Sequence, residues 1–299
     1  MMKLALKNTY VISLLTVFLL GGVHSFAQTS AASKPSAITL GIIPGGNPES
    51  VKKESKYLAE KLQDKLGLPV NIYISKNYAG LTSALKDKKV DYAFLTAFSL
   101  VEAEESVALK VLLKKTWVGP FYYSSLVSLK NNSISSVKDF KNKRISFVDE
   151  QSTSGYIYPL VYLKKQNLKL EQFSKVKFSG SHAESVAQLE KKESDIIAVF
   201  SDNEKGTDGA WTKFGKLKKG AYKVLWVGDA IPNDPFVVRT DFYEKYPMFT
   251  HDLMYQMIEL QDDLMIRKNM SEVMGAGDLL PATSKQYDPV REVRKVLKD

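Results

Sequence analysis

Ile38-Thr39-Leu40-Gly41-Ile42-Ile43 is an apolar run of strand length, and an amphipathic stretch, Ser50 to Leu66, follows it. Val70-Asn71-Ile72-Tyr73-Ile74, Ala79 to Lys86 and Asp91-Tyr92-Ala93-Phe94-Leu95 continue the alternation. Short apolar runs separated by stretches of helical period read as strand, helix, strand, helix, strand. Asn47-Pro48 supplies a cap and a first-turn proline for the first helix, and Gly67 before Pro69 supplies its stop. Alternation of this kind over a 299-residue chain specifies an α/β fold with mostly parallel sheets flanked by helices.

The pattern breaks at Trp117-Val118-Gly119-Pro120-Phe121 and then restarts. Tyr123 to Leu129 and Arg144 to Val148 are strand-like, Tyr158 to Gln166 is helical, and Val176 to Phe178, Ala183 to Lys191 and Asp195 to Phe200 repeat strand, helix, strand. Ile231-Pro232-Asn233-Asp234-Pro235-Phe236 reads as a return crossing, after which helices over Tyr246 to Met265 and Val290 to Leu297 are expected on the first lobe. The expected organisation is a lobe I of residues 37–118 plus 230–299 and a lobe II of 119–229. A ligand would sit in the cleft between them, since open α/β sheets bind beyond the carboxyl ends of their strands.

Residues 1–27 read as a secretory signal peptide: Lys3 and Lys7 start it, Val11 to Val23 is apolar, and Ser25-Phe26-Ala27 suits cleavage after Ala27. The apolar run is shorter than the ~20 residues a bilayer span requires. The chain has no cysteine, which removes both disulfides and the acylated residue of a lipid anchor. A free, soluble monomer in the periplasm is expected, with residues 28–36 as a disordered lead-in. The formal charge of +9 favours anionic ligands by steering. Nucleic acid is not an expected partner of an exported chain. Lys205, Lys213, Lys216, Lys218, Lys219 and Lys223 are strung along a Gly-containing segment and read as a solvated surface rather than a binding stripe.

Between the Arg144 to Val148 strand and the next helix stands Ser152-Thr153-Ser154-Gly155-Tyr156. One hydroxyl there caps a helix; three in a row offer more donors than a cap uses. A helix's first turn leaves backbone N–H groups unpaired and carries partial positive charge, so an oxyanion can be gripped there without a cation. A second helix start, Gly180-Ser181-His182-Ala183-Glu184, has capping-box spacing and puts His182 in the first turn, where imidazolium is disfavoured. His182 is then a neutral donor, or a surface residue without a role. Asp202 ends a strand and can accept a proton from a ligand oxygen or pair with a ligand ammonium, or it is a turn residue. Asp234 in Asn233-Asp234-Pro235 has the same ambiguity. Tyr78 and Tyr123 could supply phenolic donors, and Thr96 a further hydroxyl at a strand end.

Catalytic motifs are missing: there is no Gly-x-Ser-x-Gly elbow, Walker loop or His-Glu-x-x-His, and no cysteine nucleophile. Only His182 and His251 would remain after cleavage, too few for a His-rich metal site. Neither cofactor nor metal is expected. A hydrolase pairing Ser152 or Ser154 with His182 is conceivable, yet donors clustered at a helix start suit binding better than nucleophile activation.

Several segments together resemble one family: Gly41-Ile42-Ile43-Pro44 with Asn47-Pro48, Asn77-Tyr78-Ala79, Phe147-Val148-Asp149 before the hydroxyl cluster, Gly180-Ser181-His182, Ile231 to Pro235, and Tyr287-Asp288-Pro289-Val290-Arg291. From about Ile38 to Leu297 the chain resembles the phosphate/phosphite/phosphonate-type substrate-binding proteins of ABC transporters, which are two-lobed periplasmic binding proteins. The resemblance implies that Ser152, Thr153 and Ser154 hold the oxyanion, with His182, Tyr78 and Tyr123 around it and Asp202 and Asp234 as acidic positions. It implies lobe closure on the ligand and delivery to an inner-membrane ABC permease, not catalysis. After Leu95 the family usually shows Gly-Pro and then Ser-Tyr, whereas this chain reads Thr96-Ala97-Phe98-Ser99-Leu100, which bears on ligand choice. The rival readings are a ligand-sensing partner of a membrane receptor kinase and a periplasmic serine hydrolase.

Overall fold

Strand and helix alternate as the periodicity requires. The strands are β1 (Ile38–Ile42), β2 (Val70–Ile74), β3 (Tyr92–Phe94), β4 (Leu109–Thr116), β5 (Phe121–Leu129), β6 (Arg144–Phe147), β7 (Lys175–Phe178), β8 (Ile196–Ser201), β9 (Tyr222–Pro232), β10 (Pro235–Arg239) and β11 (Asp278–Pro281). The helices are α1 (Pro48–Leu66), α2 (Tyr78–Lys86), α3 (Ala97–Ala103), α4 (Tyr158–Lys165), α5 (His182–Glu190), α6 (Ala210–Phe214), α7 (Thr240–Lys245), α8 (Pro247–Glu259), α9 (Leu264–Met274) and α10 (Asp288–Lys298). The computed structural model describes residues 34–43, 48–116, 119–274 and 277–298. The signal segment read over 1–27, most of the lead-in, the Asn47 cap and the Trp117-Val118 break lie outside the described residues.

The strands form two sheets, ordered β11-β4-β10-β3-β1-β2 and β7-β6-β8-β5-β9, which give the two-lobed α/β architecture. β1 runs parallel to β2 and β3, and β6 parallel to β7 and β8. The pairs that β10 makes with β3 and β4, β11 with β4, and β5 with β8 and β9 are antiparallel. Both sheets are therefore mixed rather than mostly parallel. Strands of βαβ units end at the cleft, whereas β5 and β10 begin there after crossing from the other lobe, so each must enter its new sheet running the opposite way.

The pleat sorts each strand between two cores. Tyr92 and Phe94 pack with α1, α8 and α9 residues on one face of the first sheet, while Ala93 and Leu95 pack with α2 and α3 on the other. In the second sheet Leu126, Ile196 and Ala198 face one cluster, and Val127, Ile197 and Val199 face its opposite. The C-terminal helices join the first sheet, Leu253, Met257 and Ile266 on one face and Val290 on the other. The helix expected over Tyr246 to Met265 is broken near Asp263, whose carboxylate accepts the backbone N–H groups of Met265 (2.8 Å) and Ile266 (3.1 Å) and so starts α9 afresh.

Two ionic arrangements hold the frame that carries the site. The Asp91 carboxylate accepts the Thr39 N–H of β1 (2.8 Å) and the Arg239 guanidinium of β10 (3.0 Å), tying the centre of the first sheet together. Removing one partner of so buried a pair costs about 3–5 kcal/mol. At the other end, α10 is stapled to α3 and the turn after it: Arg291 grips Glu104 at 2.6 and 2.8 Å, Arg294 bridges Glu102 and Glu105, and Lys298 reaches Glu105 at 3.0 Å.

Hydrogen bonds from Arg294 and Lys298 hold the Glu105 carboxyl down to about 2 against 4.5 for a free glutamate. A depressed acid pKa means that the contribution of Glu105 is fully present above about 4.5 and is lost as pH falls toward 2. Glu105→Gln is expected to lower the thermal midpoint at pH 7 and to match the wild type near pH 2. The gap should shrink in ~1 M salt, where the Debye length is ~3 Å. Differential scanning calorimetry across pH checks it; a gap that is constant with pH removes the ionic explanation.

Candidate functional site

Where the carboxyl ends of both sets of strands meet lies a cavity of about 180 Å³. Every expected site residue except Tyr123 lines it: Tyr78, Thr96, Ser152, Thr153, Ser154, His182, Asp202 and Asp234. Each stands in the segment or helix start that follows a strand, or in the turn between β9 and β10.

The hydroxyl cluster does two jobs. Ser152 caps the turn by accepting the Gly155 N–H at 3.1 Å, and the chain then makes one π turn, Thr153–Ile157, before α4. The N–H groups of a first turn have no partner four residues earlier, which leaves donors beside the hydroxyls. Gly155 is needed because a Cβ there would meet Val148 Cγ2 at 2.5 Å and Ser152 Oγ at 2.8 Å. Thr153 Oγ1 accepts the Phe98 N–H of α3 at 2.9 Å, joining the two lobes. Ser124 Oγ donates to the Ser154 carbonyl at 2.7 Å and fixes the turn against β5.

That contact explains Tyr123. Residues of a strand alternate between faces, so Tyr122 shares the face of Ser124 and reaches the cavity, while Tyr123 and Ser125 take the other. Tyr122 lines the cavity, as Thr153 does. The expectation for Tyr123 is corrected by one position.

Lobe I supplies the opposite wall. Asn77 caps α2 by accepting the Gly80 N–H at 2.8 Å, which leaves Tyr78 as the first helical residue, lining the cavity with Ser152. Burial, then the charges of Asp234 and Asp149, push the Tyr78 phenol far above its usual pKa, so it stays protonated. Thr96 caps α3, a helix absent from the sequence reading, and donates to the Gln151 carbonyl of the other lobe at 3.1 Å. Ala97 and Leu100 are fully buried in the core, so of the Thr96 to Leu100 stretch it is Thr96 that lines the cavity.

His182 packs edge-on to Phe200, and its Nδ1 is buried without a hydrogen-bond partner among the described residues. Burial, and secondarily the charge of Lys213, pull its pKa down to about 4, so it is neutral at pH 7. Neutrality was expected, but from a helix terminus; burial is the leading cause. Burial raises Asp202 against the opposing charge of Lys213, and raises Asp234 against the charge and hydrogen bond of Lys115. The Asp234 turn is itself held: Asn233 donates to the Gly119 carbonyl at 2.6 Å, and Tyr287 donates to the Asn233 carbonyl at 2.7 Å.

Two cations were missed. Lys115 lies on β4, which was not read as a strand, and pairs with Asp234 at 3.4 Å. Lys213 is exposed overall, as expected of that lysine string, yet it lines the cavity from α6. Trp211, buried under α6, anchors that short helix, and its spacing before Lys213-Phe214 was the available signal. The grip is thus not free of cations. Among the described residues no group of three or more His, Cys, Asp or Glu could hold a metal ion, and no helix is long and apolar enough to cross a membrane.

Comparison with known proteins places the chain in a family. The family model described as "ABC transporter, phosphonate, periplasmic substrate-binding protein" matches residues 40–266. The phosphonates-binding periplasmic protein of Escherichia coli is 26% identical over 271 residues, covering 88% of this chain and 77% of its own length. The phosphate-import protein PhnD of Mycolicibacterium smegmatis is 26% identical over 285 residues, covering 89% and 87%. Among solved structures, PhnD1 of Prochlorococcus marinus in complex with methylphosphonate superposes with a TM-score of 0.75 at 22% identity, over 89% of this chain and 99% of that one. Neither a receptor-kinase partner nor a serine hydrolase finds support among these relatives. The chain belongs to the periplasmic substrate-binding proteins of phosphonate ABC transporters.

Proposed function

We propose that this protein captures a phosphorus oxyanion, as phosphonate, phosphite or phosphate, in the cavity and hands it to an inner-membrane ABC permease. In this reading residues 1–27 are a cleaved export signal, the mature chain is a periplasmic monomer without a lipid anchor, and lobes 37–118 plus 230–299 and 119–229 close on the ligand. Ser152, Thr153 and Ser154 hold the oxyanion with Tyr78, Tyr122 and His182, and Thr96 faces them. The observation that carries it is the run of hydroxyls at one helix start, lining the same small cavity as a neutral His182 whose Nδ1 has no hydrogen-bond partner among the described residues. About 180 Å³ is below the ~300–1,000 Å³ of sites for drug-sized molecules, which fits a ligand of few atoms. Binding without turnover is favoured because, among the described residues, none hydrogen-bonds His182 Nδ1 to orient it as a general base requires.

A thermal-shift panel of phosphate, phosphite, methylphosphonate, sulfate and selenite tests the ligand class. A true ligand at 100 times its Kd should add ~2.7 kcal/mol of stability, a shift of several degrees. No shift with any phosphorus oxyanion would refute the assignment. If one binds, Ser152→Ala with Thr153→Ala is expected to weaken it by a hundredfold or more, at roughly 1.5–3 kcal/mol per charge-assisted hydrogen bond. Calorimetric titration reads this, with the ligand-free melting point as control because both residues also hold the turn. Gly155→Ala should cost ~1–3 kcal/mol through the Val148 contact and weaken binding while every hydroxyl remains. Unchanged affinity would detach the turn's shape from the site.

A further inference from the structure

Each carboxylate of the cavity already faces the charge of one of the chain's own lysines, Asp234 in an ion pair with Lys115 and Asp202 under the charge of Lys213. Lys115 on β4 and Asp234 in the turn just before β10 meet in lobe I: the Lys115 N–H donates to the Asp234 carbonyl at 2.9 Å, and Lys115 Nζ meets the carboxylate at 3.4 Å. Both side chains are mostly buried, at 14% and 27% exposure, so the pair is held in place by the sheet. Lys115 Nζ also lies 5.3 Å from the centre of the Phe94 ring. In lobe II, Asp202 and Lys213 line the same cavity from the two ends of one loop, closed by the Asp202 N–H to Asp208 carbonyl bond at 2.8 Å and the pairing of Ser201 with Gly209. Lys213 Nζ stands 5.7 Å from the centre of the Phe214 ring.

With the imidazole neutral, two lysines and two aspartates leave the ionic groups of the cavity balanced. A ligand ammonium would have to displace a lysine or lie unpaired between two cations. A second ligand carboxylate would meet Asp202 and Asp234. Apart from uncharged polar groups such as Tyr122, His182 and Asn233, what remains beside the hydroxyl cluster is apolar, from Ile43, Phe94, Leu95, Phe200 and Phe214.

Resting on the phosphorus-oxyanion reading above, we infer that the site selects phosphonates with a short, uncharged substituent. Lys115, with Lys213 at the rim, is the specificity-determining element that excludes aminoalkyl and carboxyalkyl phosphonates. Like charges that lose their water at close range repel strongly, so discrimination comes from rejection as much as from attraction.

Calorimetric titration of the full mature chain at pH 7.5 with methyl-, ethyl- and propylphosphonate, 2-aminoethylphosphonate, phosphonoacetate and phosphate tests this. Propylphosphonate and 2-aminoethylphosphonate have the same number of heavy atoms and differ in charge. The best alkyl member is expected to bind at least about tenfold more tightly than 2-aminoethylphosphonate or phosphonoacetate, a difference of ~1.4 kcal/mol. In Lys115→Met, which uncovers Asp234, the ratio of alkyl to aminoethyl affinity should fall by at least about tenfold; Lys213→Met is the second variant should the first melt early. Equal or tighter binding of 2-aminoethylphosphonate by the wild type, or an unchanged ratio in both variants, overturns the inference and leaves the phosphorus-oxyanion reading standing. Binding of phosphate with no alkylphosphonate overturns it too. If no phosphorus compound binds, the functional reading itself fails and takes this inference with it.

Discussion

The hydrogen bond from the Phe98 amide to the Thr153 hydroxyl spans the two lobes and sets the shape of the cavity. It joins the first turn of α3 to the first turn after β6, and the Thr96 hydroxyl reinforces it by reaching the Gln151 carbonyl. Four helix starts consequently converge: α2 at Tyr78, α3 at Ala97, the π turn at Thr153 and α5 at His182. Each start brings unpaired N–H groups and a partial positive charge to one place. A cavity built in this way favours an anion before any side-chain charge is counted. Thr153 is therefore both a contact between the lobes and a candidate ligand donor.

Side-chain charge is then used for discrimination. Lys115 and Lys213 stand with Asp234 and Asp202, while burial keeps His182 neutral. The turn that presents Asp234 is braced by Asn233 and Tyr287, so the acidic position is rigid rather than a mobile loop residue. Further out, the Arg and Lys residues of α10 clamp the acidic end of α3, whose other end forms the wall of the site. Surface ions thus hold a helix whose capping residue, Thr96, lines the cavity.

The fold was legible wherever the periodicity was clean. Ile38 to Leu95 reads as alternating strand and helix, and β1, α1, β2, α2 and β3 follow. The sheets proved mixed because β5 and β10 begin at the cleft, a consequence of chain crossing that no local pattern carries. β4 was missed since Leu109 to Thr116 mixes lysines into an apolar run, and the lysine it hides, Lys115, sits in the site. Lys213 read as one of a solvated string; the buried Trp211 beneath α6 is what brings it to the cavity. Tyr123 failed by one residue because sequence shows that a strand has two faces but not which one meets the cleft.

By itself the sequence determined the alternation of elements, the hydroxyl cluster at a helix start and the strand-end positions of the candidate donors. These depend on backbone period and capping, which are local properties of neighbouring residues. Only the tertiary structure decided which phenol enters the cavity, which lysines answer its carboxylates and why His182 is neutral. Those outcomes depend on burial and on charges brought together from distant parts of the chain, and burial exists only once the two lobes have packed.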